Sequence, residues 1–180
     1  MTDHHAQEPE ADPEIDYVEM DLDPEAHLLC AALWSRDEET LRFLFTHMRE
    51  DDFENPFYKP IFAVIGDALT AGQPHDPTIV AASFTQAGRE KVPSAVHNAL
   101  RTVLTLGSST GSVGHYAASV VAASYRRSYF RLAAAVQLAA EEASEGELFP
   151  ILVAHGTRQR EELHRLNTIR NGPAKDRRED

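Results

Sequence analysis

Apolar residues recur three and four positions apart along most of this chain, and no segment alternates convincingly at the two-residue period of a strand. The helical pattern opens at Asp23, a capping carboxylate followed by Pro24 at the first helical position and Glu25 at the positive dipole end. Leu28, Leu29, Ala32 and Leu33 then share one face, and the helix is predicted to end near Ser35. Asp37 offers the next cap, ahead of Leu41, Leu44, Phe45 and Met48. Residues 49–56 read as a charged turn with Phe53 projecting from it. A third helix carries Phe57, Ile61, Val64, Ile65 and Leu69, with Pro60 tolerated in the first turn, where amides lack partners anyway. Gly72 and Pro74 break the chain before Asp76 and Pro77 open a fourth helix bearing Ile79, Val80 and Phe84, which Gly88 closes. A fifth, with Val96, Leu100, Val103 and Leu104, ends at Gly107.

Residues 107–114 are rich in Gly and Ser, and this stretch reads as a hinge. Beyond it Val113, Ala117, Val121, Tyr125, Tyr129, Leu132, Val136 and Ala140 form one stripe, mostly four apart. That is a helix roughly 45 Å long at about 1.5 Å per residue. A further helix follows Gly146 through Leu148, Ile151, Leu152, Leu163 and Leu166, with Gly156 as a weak point. Two such helices joined at residues 144–146 make an antiparallel hairpin. The expected architecture is all-α: an acidic disordered leader at 1–22, a compact bundle at 23–106, a hinge at 107–112, the hairpin at 113–168 and a polar tail at 169–180.

Charge changes the picture in one respect. The net charge of −12 is concentrated at the start, because residues 1–25 hold ten acids and no Lys or Arg. The body from residue 26 onward is nearly neutral, a poor match to the phosphate neutralisation that drives duplex binding, so protein partners are favoured over DNA. Within the leader, residues 15–22 interleave Ile15, Tyr17, Val18, Met20 and Leu22 with Asp16, Glu19 and Asp21; a solubilising leader is the first reading of this pattern and docking on a basic groove the second. An acidic start is the opposite of a signal peptide's basic region, and no apolar run approaches the ~20 residues that span a bilayer. The single cysteine, Cys30, sits in an apolar helical pattern and suits a reducing, cytoplasmic setting as a packing thiol.

Candidate chemistry is sparse. The Gly-rich 107–114 segment lacks the Gly-Lys-Ser/Thr ending of a phosphate loop and follows a helix, where such a loop follows a strand. Glu161 and His164 have the spacing used in di-iron bundles, but that site needs the motif twice, and a solvated pair is the better reading. No nucleophile, cofactor or metal site is expected. The most concentrated basic and aromatic cluster is Arg126, Arg127 and Arg131 among Tyr125, Tyr129 and Phe130. These arginines are either a solvated face or, with Val121, Tyr125, Leu132 and Val136 on the stripe beside them, the expected protein-interaction face, since Arg pairs well with carboxylates at interfaces.

The order of features over residues 23–143 resembles the N-terminal domain of the bacterial replicative helicase (DnaB) family. Pro24-Glu25-Ala26 followed by Leu28, Leu29, Ala32 and Leu33 resembles that family's first helix. Asp52-Phe53, Pro56, Ile61-Phe62, Gly72, Pro74, Asp76, Val80, Phe84 and Gly88 follow its second conserved stretch. His115-Tyr116 and the helix bearing Arg126 and Arg127 resemble the start of its hairpin. Residues 91–97, with Pro93, lack the paired glycines that often sit there. The resemblance implies a domain that pairs through its hairpins into a collar on the hexamer and docks primase, whose own C-terminal domain has a similar fold. These 180 residues contain no Walker motif, so nucleotide-driven unwinding is not expected of them. The expected function is a non-enzymatic replication accessory protein that binds or mimics replicative helicase or primase and forms a homodimer through the hairpin. The alternative is a structural homo-oligomer unrelated to replication.

Overall fold

The computed structural model describes residues 22–88 and 90–173, so nearly all of the acidic leader and the last seven residues lie outside the described part. Among the described residues there are seven α-helices and no strand: α1 Pro24–Trp34, α2 Glu38–His47, α3 Lys59–Ala71, α4 Pro77–Ala87, α5 Ser94–Thr105, α6 Val113–Glu142 and α7 Glu145–Asn171. Short 3-10 turns at Glu50–Asp52 and Thr110–Ser112 precede α3 and α6.

The local signals act as their chemistry dictates. Asp23, Asp37 and Asp76 each accept a backbone N–H from the first turn they cap, at 2.9, 3.0 and 2.9 Å. Gly72, at φ +65°, turns α3 off in a left-handed conformation that lets Gln73 N–H reach Ala68 O at 2.8 Å. At the hairpin tip, Ser144 and Glu147 form a reciprocal capping box that starts α7. Neither Gly156 nor Pro150 breaks α7, which continues to Asn171.

α1 is the axis of the core. The sequence suggests a helix with one apolar face, but Leu28, Leu29, Cys30, Ala31 and Ala32 are all fully buried, because α3, α5 and α6 enclose it on several sides. Around it pack Leu41 and Leu44 of α2, Ile61 and Ile65 of α3, Val80 of α4, Leu100 and Val103 of α5, and Phe53 and Tyr58 from the connecting turn.

Two expected boundaries shift. The Gly-Ser segment is not a free joint, since Ser108 Oγ lies 2.7 Å from His27 Nδ1 on α1. The first half of α6 belongs to the bundle, where Val113, Ala117, Val120 and Val121 are core residues. The same holds at the far end: Ile169, assigned to the polar tail on its composition, is buried as part of α7. The hairpin therefore stands on the bundle with its root built into the core, and only its outer half projects.

Candidate interaction surface

The root of the hairpin is fastened by charge. Asp52 closes its own 3-10 turn by accepting Arg49 N–H at 2.8 Å, which turns its carboxylate toward α7. Arg165 meets that carboxylate with two parallel bonds, Nη1 to Oδ2 at 2.6 Å and Nη2 to Oδ1 at 2.7 Å. The guanidinium is completed by Glu162 of its own helix and by His47 O. Glu162 also takes Arg49 at 2.8 Å.

A second fastening lies on α6. Arg127 donates to Glu54 at 3.2 Å and to the carbonyl of Asp52, with Glu25 at 4.0 Å. Glu25 lies beneath, its two oxygens accepting Glu54 N–H and Asn55 N–H at 2.7 and 3.1 Å. Burial raises the Glu25 carboxyl above the ordinary carboxylate range, and the two amide bonds offset only part of that rise.

These contacts divide the predicted face. Arg127 turns inward and is committed within the chain, so it does not belong to the outward patch. Val121 is completely enclosed by this chain's own core and is likewise removed from the surface. The remaining residues lie further out along α6. Tyr125 and Leu132 are half-buried, while Arg126, Arg131 and Val136 are exposed. Tyr125 and Tyr129 meet edge to face with their hydroxyls 2.9 Å apart, and Tyr129 is about half exposed rather than packed. The physical reason is geometric. A helix turns about 100° per residue, so Arg126 and Arg127 cannot face the same way, and only residues level with the bundle find partners there.

Between α6 and α7, Tyr125, Arg126, Tyr129, Leu163, Leu166 and Arg170 line a groove of about 290 Å³. Across the same pair of helices, Gln159 Nε2 donates to Ser128 O at 3.3 Å, and the small side chains of Ser124 and Ser128 let the helices approach. Beyond this level the hairpin exposes several large apolar side chains among charged ones. Phe130 and Phe149 are 73% and 72% exposed, with Leu138, Leu152 and Val153 each about half exposed. Reading the sequence alone missed Glu25, Asp52, Glu162 and Arg165. The Glu162-x-x-Arg165 spacing beside the buried Leu166 is the one local signal that could have pointed to them.

Other candidate chemistry does not assemble among the described residues. Glu161 and His164 are both exposed, and no three His, Cys, Asp or Glu side chains converge. Cys30 is fully buried. The glycine-rich segment ends in the 3-10 turn that leads into α6. No described helix is long and apolar enough to cross a membrane.

A helical bundle carrying a rooted, outwardly apolar hairpin defines an all-α domain of the bundle-and-hairpin class. The family model of the DnaB-like helicase N terminal domain matches residues 18–122, and the chain belongs to that family. Among solved structures it is similar to the N-terminal domain of DnaB helicase from Mycobacterium tuberculosis, at 23% identity and a TM-score of 0.60. That match covers 79% of this chain and 95% of the other, and at this identity it speaks for the fold. No curated protein matches the chain.

Proposed function

We propose that this chain is a non-catalytic replication accessory domain that binds replicative helicase or primase through the outer hairpin, without a cofactor. The observation that supports this most is the uncovered apolar outer half, from Phe130 through Phe149 to Val153. Exposed apolar surface of that extent marks a contact site. Membership in the helicase N-terminal family directs the choice of partner. Arg126 and Arg131 flank this surface and suit an acidic partner, whereas the nearly neutral body gives duplex DNA little to bind.

Titration calorimetry of the full chain against replicative helicase, then primase, in moderate salt tests the reading. Micromolar or tighter binding is expected with one of them. Reversing both free arginines, Arg126→Glu with Arg131→Glu, weakens binding at least tenfold, about 1.4 kcal/mol, with helicity unchanged. If neither partner binds, the replication reading fails. If binding survives the double reversal, the partner stands and the face is wrong.

Two copies pair through the same apolar outer half. Sedimentation velocity gives a dimer for the wild type and a monomer for Phe149→Asp, whose side chain touches little of its own fold. A wild-type monomer at high concentration contradicts the pairing.

A further inference from the structure

The groove between α6 and α7 has an unusual charge balance. Arg126 and Arg170 both line it, no carboxylate does, and neither arginine takes part in an ion pair among the described residues. Between them Tyr125, Tyr129 and Leu163 offer an apolar floor. The larger grooves of the bundle differ. The one between α2 and α3 sets Glu50 and Asp67 against Arg42, and the one between α4 and α5 has Arg101 as its one charged wall.

Residues 15–22 supply the complement. Asp16, Glu19 and Asp21 alternate with Ile15, Tyr17, Val18, Met20 and Leu22, and the first 25 residues contain no basic side chain except histidine. Leu22, the last residue of this segment, is 80% exposed, an apolar end without cover. The segment joins α1 three residues before Glu25, whose Oε1 is 4.0 Å from Arg127 Nη2 on α6. Seven extended residues reach about 25 Å at roughly 3.3–3.6 Å each, which bounds how far from α1 the segment can find a site.

We propose that the acidic segment 15–22 docks in cis on the Arg126–Arg170 groove, with its apolar side chains on Tyr125, Tyr129 and Leu163 and its carboxylates on the two arginines. Docked there, it covers the base of the surface assigned above to partner binding and competes for Arg126. The inference deepens that reading by naming a regulator of the same face, but its test needs no partner, so either can fail without the other.

The test uses the full chain with a nitroxide label on Val18→Cys, Cys30 being buried and out of reach of the reagent. Backbone amides of Tyr125, Arg126, Leu163 and Arg170 broaden, while those of α4 and α5 do not. The broadening is lost at molar salt, where charge attraction is screened. It is also lost in Arg126→Glu with Arg170→Glu. A second variant, Asp16→Asn with Glu19→Gln and Asp21→Asn, abolishes it without altering any residue of the folded bundle. Mixing labelled, isotope-free chains with isotope-enriched, unlabelled ones leaves the spectra unbroadened if docking is in cis. Broadening in that mixture, broadening at α4 and α5 instead, or no broadening at all overturns the proposal.

Discussion

Asp52 is a carboxylate with 2% of its side chain exposed, and a charge so far from water needs a partner held in place. Arg165 is that partner, so truncating it strands Asp52 and half of Glu162. We expect Arg165→Met to lower stability by about 3–5 kcal/mol in urea unfolding, and Arg165→Met with Asp52→Asn to cost less than the single change. Equal costs for the two variants would show that packing, not charge, fastens the hairpin. Two other carboxylates predict opposite responses to pH. Bonds from Thr40 hold Asp37 below the ordinary carboxylate range, so its stabilising contribution is present above that range and is lost as pH falls through its folded value. The wild-type advantage over Asp37→Ala, about 0.5–2 kcal/mol near neutrality, therefore shrinks on acidification. Glu25 is raised by burial, so the folded state holds its proton more tightly than the unfolded chain does. Its contribution is fully present below the ordinary range and is lost as pH rises through the folded value. The stability difference between wild type and Glu25→Gln accordingly falls as pH rises from about 4. Urea midpoints measured across pH check both signs.

Helix by helix, much of this fold is written locally. A capping aspartate sits at the start of α1, α2 and α4, Gly72 ends α3, and the four-residue stripe of α6 gives its length. What is not local was not legible. The angle around a helix axis says which residues share a side, but not how high the neighbouring elements rise. Val121 and Val136 share one stripe, yet the bundle encloses the first and stops short of the second. Arg127 and Arg131 are one turn apart, and only the lower one reaches the turn at residues 52–54. The Asp52–Arg165 pair joins residues 113 positions apart, and no spacing rule links them. Glycines separate local from contextual effects in a measurable way. Gly156 lies inside α7 with open space where a Cβ would stand, so Gly156→Ala should raise stability by about 0.5–1 kcal/mol. Gly72 has φ +65°, so Gly72→Ala should lower it by about 1 kcal/mol or more. Thermal unfolding of the two variants reads both, and a drop for Gly156→Ala would mean that α7 needs a weak point.

The molecule as a whole is a buried helix enclosed by α3, α5 and the first half of α6, with a hairpin whose lower half is core and whose upper half is largely exposed. That asymmetry is the physical basis for assigning function to the hairpin. The root is held by a bidentate, buried ion pair, while Phe130 and Phe149 further out are 73% and 72% exposed. An arm rooted in the core with exposed apolar side chains further out supports the contact proposed above, and the family to which the chain belongs directs that proposal to replication proteins. Hydrogen–deuterium exchange on the full chain, alone and with replicative helicase, tests this most directly. We predict that exchange slows over residues 126–153 when the helicase is present and is unchanged over α3, α4 and α5. Slowing confined to the bundle, or no change anywhere at helicase concentrations well above micromolar, would contradict the account.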